Sequence, residues 1–143
     1  MNAIHRIFRN GVAIERLDTN RASFNEAQEI KDNLLDDVDC KKIIIDLSSC
    51  NYMDSTFLGA MIFAYRALRH QDCEFALVIG ESFFSKSYIY NEITNIFKVY
   101  SSMNEAMNAF NESLKFSINQ SGRLERKDNP ATIVQMHLQL RPE

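Results

Sequence analysis

Apolar and polar residues alternate along most of the chain with the periods of strands and helices in turn. Two alternating runs, at 3–8 and 11–17, flank a short polar link and predict a two-stranded hairpin that turns at Gly11. Residues 41–47 and 74–80 are rich in β-branched and aliphatic side chains with little alternation. That pattern is typical of strands covered on both faces, so we expect these two strands near the centre of a sheet.

Other segments repeat apolar residues every three or four positions and predict amphipathic helices. The first follows a capping box of Ser23 and Glu26, in which each side chain can bond the exposed backbone N–H of the other residue. The second begins near residues 54–56 and reaches about His70. The apolar positions that define them are Ala27, Ile30, Leu34 and Val38 in the first helix, and Leu58, Met61, Ile62, Tyr65 and Leu68 in the second.

The following segments carry weaker patterns. Residues 82–93 predict a helix, although their aromatic side chains also suit a strand. A short strand is predicted at 96–100, and a second capping box of Ser102 and Glu105 opens a last helix.

Strands that alternate with helices after an initial hairpin predict an α/β fold with parallel crossovers. We expect a mixed sheet of four or five strands with helices mainly on one side, formed by residues 1–116. Residues 117–130 are polar and aperiodic, which predicts a linker or an exposed loop.

Residues 131–143 form a C-terminal extension with a different pattern. Val134, Met136, Leu138 and Leu140 alternate with polar residues, as in a strand with one apolar face. Such a face needs a cover, which the edge of the domain's own sheet, a partner protein or a second copy in a homodimer would provide.

Length and composition narrow the function classes. The chain has 143 residues, 45% of them apolar and 24% charged, which suits one globular domain. A net charge of −3 gives no basic surface for nucleic acid. No apolar run is long enough for a signal peptide or a membrane span, so we expect a cytoplasmic protein without membrane insertion.

Candidate catalytic and metal-binding chemistry is sparse. The three cysteines form no C-x-x-C pair, and three scattered histidines accompany no Gly-rich phosphate loop and no recognisable Ser-His-Asp arrangement. We therefore expect no enzyme, no metal site and no cofactor.

The transition between residues 41–47 and the second helix holds the main candidate site. Asp54, Ser55 and Thr56 follow the carboxyl end of a buried strand, where open α/β sheets present functional groups. The simplest interpretation is that Asp54 or Ser55 caps the helix. A phosphoryl group on Ser55 would also be tolerated there, because unpaired N–H groups and the positive end of the helix dipole favour an anion.

The segment "IIIDLSSCNYMDSTFLGAMIFAYRAL" resembles the signature of the STAS domain in anti-sigma factor antagonists. In that family a strand ending in Asp-Leu-Ser precedes a loop, then Met/Ile-Asp-Ser and a helix. "CEFALVIG" and "ITNIFKVYSSMNEAM" resemble the family's later elements, so the resemblance covers residues 1–116.

The resemblance implies that Ser55 is phosphorylated by an anti-sigma factor with the fold of a histidine-kinase-like serine kinase. The unphosphorylated protein would bind that kinase and free a sigma factor, and a serine phosphatase would restore binding. Thr56 is the rival acceptor, and Asp54, Ser55, Thr56 and Phe57 are the expected partner-binding residues. Phe57 stands where the family commonly has Gly, and it could obstruct a family-type kinase, fit a divergent one or anchor a partner.

The resemblance also admits a second function. STAS domains attached to lipid or anion transport machinery act as structural adaptors, so an adaptor subunit is the alternative. A phosphorylatable Ser55 would favour signalling, whereas co-purification with a transporter ATPase would favour the adaptor.

Overall fold

The computed structural model describes residues 3–81, 89–118 and 124–126. Its strands are β1 (Ile4–Arg9), β2 (Val12–Leu17), β3 (Arg21–Ala22), β4 (Lys42–Leu47), β5 (Tyr52–Met53), β6 (Glu74–Ile79), β7 (Lys98–Tyr100), β8 (Phe116–Ile118) and β9 (Leu124–Arg126). Its helices are α1 (Phe24–Asp36), α2 (Ser55–Leu68), α3 (Ile89–Ile96) and α4 (Met103–Lys115), with 3-10 turns at Asp37–Asp39 and Arg69–Gln71. The contacts group the chain into two units, Met1–Ala106 and Met107–Glu143.

The predicted hairpin is confirmed. β1 and β2 pair antiparallel, and the turn between them consists of Asn10 and Gly11 with φ of 54° and 78°. Positive φ at both central residues is the type I′ geometry that matches the twist of a hairpin. The turn therefore needs Asn10 as well as Gly11, since Asn is one of the few residues with a side chain that tolerate this conformation.

The main sheet has five strands in the order β1-β2-β4-β6-β7, with one antiparallel pair and three parallel pairs. The mixed sheet predicted from the sequence is confirmed. Strand β4 lies in the middle, and Ile43, Ile44 and Ile45 are all fully buried. Side chains on both faces of β4 are thus covered, as its β-branched run predicted.

Three helices bury their apolar residues in one core cluster. Ile30 and Leu34 of α1 belong to it, together with Met61 of α2 and Ile93 of α3. The residues of the sheet in this cluster include Ala13, Leu17, Ile43, Ile45, Leu47, Phe75, Leu77 and Ile79. Their alternate spacing shows that α1, α2 and α3 share one face of the sheet.

Helix α1 begins as predicted. The Ser23 hydroxyl accepts a hydrogen bond from the Asn25 N–H at 3.3 Å, and the Glu26 carboxylate accepts one from the Ser23 N–H at 2.9 Å. The helix ends at Asp36, so Val38 belongs to the following 3-10 turn rather than to the helix.

Two predicted boundaries shift in the second half of the domain. Residues 82–88 of the predicted helix lie outside the described residues, and the remainder forms α3, which extends to Ile96. The strand predicted at 96–100 is consequently only Lys98–Tyr100. A helical hydrogen bond from the Phe97 N–H to the Ile93 carbonyl accounts for the shift, because it extends the last turn of α3 into the expected strand.

The Met107–Glu143 unit contains the predicted linker. Residues 117–130 were expected to lack regular structure, but Ser117 and Ile118 of β8 pair antiparallel with Glu125 and Leu124 of β9. Backbone hydrogen bonds between neighbouring strands require no periodic apolar pattern, which explains why no pattern in these residues indicated the two strands. The predicted strand at 131–140 lies outside the described residues, so its pairing and the homodimer stay predictions.

Candidate functional site

Ser55 is the first residue of α2, beyond the carboxyl end of the central strand β4. Its side chain and that of Thr56 are exposed. The N-cap is Asp54, whose Oδ1 accepts a hydrogen bond from the Phe57 N–H at 2.8 Å. Of the two capping alternatives left by the sequence, the structure therefore selects Asp54, and the helix does not need the Ser55 hydroxyl for its cap.

The chain segments that precede α1 and α2 form a small parallel sheet. Strands β3 and β5 pair through Arg21 with Tyr52 and through Ala22 with Met53. The Arg21 guanidinium lies 4.0 Å from the centroid of the Tyr52 ring, a cation–π contact. The pairing places the N-terminal ends of the two helices side by side. The sequence pattern predicted neither of these two short strands.

One carboxylate serves both helix ends. Oδ1 of Asp54 bonds the Phe57 N–H of α2, and Oδ2 accepts a hydrogen bond from the Phe24 N–H, the first of α1, at 2.9 Å. The N–H of Asp54 in turn donates to the Ala22 carbonyl at 3.0 Å. Asp54 therefore satisfies exposed donors of two helices and places a negative charge beside Ser55.

A buried thiol strengthens the same junction. The Cys50 Sγ lies 3.2 Å from the Thr19 carbonyl oxygen, so the thiol is placed to donate across the two loops. Burial, followed by the Glu26 and Asp46 carboxylates, raises the pKa of Cys50 to about 12. The thiol thus keeps its proton at neutral pH and remains a donor.

A surface groove runs between α1 and α2 and begins at Thr56. Its residues are Ala27, Gln28 and Lys31 of α1 with Thr56, Gly59, Ala60 and Phe63 of α2. Phe63 is 57% exposed, and the Lys31 Nζ lies 5.0 Å from its ring centroid. Gly59 leaves open space in the groove, because a Cβ at this position would meet no atom within 4 Å. We refer to these residues as the α1/α2 groove.

The structure places the predicted site residues in two environments. Asp54 is half-buried, whereas Ser55 and Thr56 are exposed. Phe57 is completely buried and belongs to the core cluster. This burial corrects the expectation that Phe57 could anchor a partner, because its ring has no exposed surface for a partner to contact.

Several residues of this region were not predicted as site residues from the sequence. Phe24 is 66% exposed at the start of α1, and Phe63 falls outside the apolar spacing that defines the buried side of α2. An aromatic residue on the polar side of a predicted helix was the available signal for Phe63. The proximity of Phe24 and Asp54, separated by 30 residues, had no signal in the local pattern.

Within the described ranges, no group of three or more His, Cys, Asp or Glu residues could hold a metal ion. None of the helices in these ranges combines the length and apolar character that crossing a bilayer requires. The arrangement around Ser55 is thus an exposed hydroxyl beside a carboxylate and a partly apolar groove.

The fold is a mixed α/β domain, and a sequence model identifies its family. The model of the STAS domain matches residues 8–106, so the chain belongs to the STAS domain family. The family resemblance stated from the sequence is confirmed.

Four solved structures illustrate the similarity of fold. An anti-sigma factor antagonist (STAS) domain protein from Planctomyces limnophilus is 19% identical, with a TM-score of 0.64 over 76% of this chain and 98% of that one. The anti-sigma factor antagonist SpoIIAA in its unphosphorylated form is 14% identical, with a TM-score of 0.60 over 76% and 98%. SpoIIAA from Bacillus is also known in a phosphorylated form, with a TM-score of 0.56. A sulfate transporter family protein from Wolinella succinogenes is 14% identical, with a TM-score of 0.56 over 72% and 87%.

Proposed function

We propose that this STAS domain is an anti-sigma factor antagonist whose binding to a histidine-kinase-like serine kinase is controlled by phosphorylation of Ser55. The observation that carries the proposal is the exposed Ser55 hydroxyl at the start of α2, where Asp54 already supplies the cap. A hydroxyl without a structural task can be modified while the fold is kept. The similarity to anti-sigma factor antagonists, one of them known in a phosphorylated form, supports the same assignment.

The phosphoryl group would act through charge. It adds about −1.5 to −2 charges at neutral pH beside the Asp54 carboxylate. Like charges at a contact surface are costly to desolvate, so a partner that binds over Ser55 would be released. The fold would remain, because the positive end of the α2 dipole accepts an added anion. A serine phosphatase would restore binding, and the exchange would take place in the cytoplasm.

The α1/α2 groove supplies the rest of the proposed contact surface. Phe63 in the groove and Phe24 at the start of α1 are exposed aromatic side chains, and exposed aromatics are frequent anchors of protein interfaces. Gly59 leaves room for a partner side chain to approach the helix backbone. We therefore include Asp54, Ser55 and Thr56 in the binding surface and exclude Phe57.

The modification is tested by incubating the protein with purified histidine-kinase-like serine kinases of the same organism and mapping the phosphopeptide. We expect the label on Ser55, with none on Ser55→Ala and full labelling of Thr56→Val. Label on Thr56 alone would transfer the switch to the rival residue, and no label with any such kinase would reject it.

Binding is tested by titration calorimetry with the kinase that modifies Ser55. Ser55→Ala should bind as the unmodified protein does, and Ser55→Asp should bind at least tenfold more weakly with little change in thermal stability. Equal affinity of the two variants would leave Ser55 as an ordinary surface residue.

The contribution of the α1/α2 groove to kinase binding is tested with a matched control. Phe63→Ala removes an exposed aromatic of the α1/α2 groove, and Phe8→Ala removes one of similar exposure, 63%, from strand β1. Only Phe63→Ala should weaken kinase binding, by about 1 to 2 kcal/mol as for an interface anchor. Equal effects of both substitutions would place the contact elsewhere.

An adaptor subunit of a lipid or anion transport complex is the second candidate, favoured by the similarity to a sulfate transporter family protein. An adaptor would co-purify with a transporter component, and its association would not respond to Ser55→Asp. Retention by a kinase column that depends on Ser55 would exclude this alternative.

A further inference from the structure

A second cluster of charged side chains lies at the other end of α1, under its last turn. Glu15 of β2 and Asp37 of the 3-10 turn both have completely buried side chains. The Arg6 guanidinium contacts both, with Nε 3.2 Å from Glu15 Oε2 and Nη2 2.6 Å from Asp37 Oδ1. Asn33 of α1 donates from Nδ2 to Glu15 Oε1 at 3.0 Å. We call these four residues the Arg6 cluster.

The charges of the Arg6 cluster do not balance if both acids are ionised. Two buried carboxylates would face one guanidinium, which leaves a net negative charge without solvent to stabilise it. Oδ2 of Asp37 is buried and receives no hydrogen bond from any N–H group of the described residues. The Glu15 and Asp37 carboxyls contact the same Arg6 guanidinium, so one proton between them would supply the missing donor and neutralise the cluster.

We infer that the folded protein holds one proton between Glu15 and Asp37 at neutral pH, and that this proton fastens the last turn of α1 to strands β1 and β2. The inference concerns the fold and does not depend on the proposed function. It follows from burial, from the unsatisfied oxygen and from the excess of carboxyl groups over cations.

The charged and titratable groups that surround Glu15 and Asp37 do not remove the need for this proton. On the α1 side, Asp36 is mostly exposed, and its Oδ2 lies 3.8 Å from Arg6 Nη1, so it draws on the same cation. The half-buried Cys40 thiol, beside Asp39, has a pKa raised first by burial and then by Asp37, and it remains neutral. From β4, the residue opposite Glu15 is the apolar Ile45. None of these elements adds a second cation that could replace the proton.

The titration follows from burial. Burial first, then the hydrogen bond and repulsion from Asp37, raise the pKa of Glu15 from 4.5 to about 8. Because the folded protein holds this proton more tightly than the unfolded chain, its stabilising effect is complete below pH 4.5. It is lost as the pH rises toward about 8. Over that window each pH unit should lower the folding equilibrium constant by about tenfold through this one group.

The test is urea unfolding of the protein from pH 5 to pH 8, compared with Glu15→Gln. Glutamine cannot ionise and has nearly the same shape, although it accepts one hydrogen bond fewer than the carboxyl. The wild-type folding constant should fall about tenfold per pH unit more steeply than that of Glu15→Gln. Asp36→Asn, which removes an exposed carboxylate beside the cluster, should keep the wild-type slope.

A second measurement covers the case in which Glu15→Gln does not fold. Carbon-13 NMR of glutamate side-chain carboxyls in the wild-type protein should show one resonance that titrates several pH units above the others. Asp37→Asn should abolish that late titration, because one carboxylate beside Arg6 is already balanced. Titration of every glutamate near its ordinary value, or parallel slopes for wild type and Glu15→Gln, would overturn the inference.

Discussion

The two ends of helix α1 meet carboxyl groups in different surroundings. At the N-terminal end, the half-buried Asp54 accepts hydrogen bonds from two backbone N–H groups, those of Phe24 and Phe57. At the C-terminal end, Glu15 and Asp37 lie fully buried around the single cation of Arg6. At the N-terminal end, backbone N–H groups therefore stabilise a carboxylate that still contacts solvent. At the C-terminal end, solvent is excluded, so the two carboxyls need a cation and a proton.

The difference explains where regulation by charge is possible. Near Asp54, a phosphoryl group added to the exposed Ser55 would remain solvated and would change the surface rather than the core. In the Arg6 cluster, any change of charge alters stability directly, since low polarity strengthens every electrostatic term. A charge-dependent switch that preserves the fold is therefore expected at the N-terminal end of α1, beside Asp54.

Removal of the Arg6 cation should have the largest effect on the free energy of unfolding. Arg6→Met leaves two buried carboxyls without their partner and should lower the free energy of unfolding by about 3 kcal/mol, the lower end for broken buried pairs. The lower end applies because the Arg6 side chain is 32% exposed. Urea unfolding at pH 7 measures the loss. Arg9→Met, an exposed arginine on the same strand, is the control, and an equal loss there would mean that the Arg6 cluster contributes little.

Removal of Asp54, the cap that α1 and α2 share, should have the second largest effect on the free energy of unfolding. Asp54→Ala deprives Phe57 and Phe24 of their acceptor and should cost about 2 kcal/mol. Asp54→Asn offers one carbonyl oxygen for two N–H groups and should lose about half of that amount. Thermal unfolding of the two variants separates the contributions. If Asn and Ala are equally destabilising, the carboxylate does not bridge the helices in solution.

A substitution in the α1/α2 groove should stabilise the fold modestly. Gly59→Ala should raise the free energy of unfolding by about 0.5 to 1 kcal/mol, because Ala favours a helix interior and its Cβ meets open space. Gly11→Ala should act in the opposite direction, since Gly11 has a φ of 78°. A destabilised Gly59→Ala protein would show that the groove is closed in solution.

The smallest effect on stability is expected at the proposed switch. Ser55→Ala should change the free energy of unfolding by less than about 0.5 kcal/mol, because Asp54 and not Ser55 caps α2. Calorimetric unfolding is sufficiently precise for this comparison. A loss of 1 kcal/mol or more would assign Ser55 a structural role and weaken the case for a dispensable hydroxyl.

Local patterns in the sequence predicted the elements that local forces determine. The capping box of Ser23 and Glu26 and the turn at Gly11 depend on hydrogen bonds and backbone angles within a few residues. The buried strands β4 and β6 follow from their continuous aliphatic runs. The same local signals placed Ser55 at the start of α2.

The tertiary structure alone decided which polar groups meet. Asp54 bonds Phe24 across 30 residues, and Arg6 contacts Asp37 across 31. Glu15, in a strand that alternates like a half-exposed one, is instead completely buried, because α1 covers that face of the sheet. Burial and long-range contact depend on how elements pack, and packing is not encoded in the period of any single element. The sequence therefore determined the order of the helices and of the strands in the main sheet. Only the folded chain determined which end of α1 is accessible to solvent and which is buried.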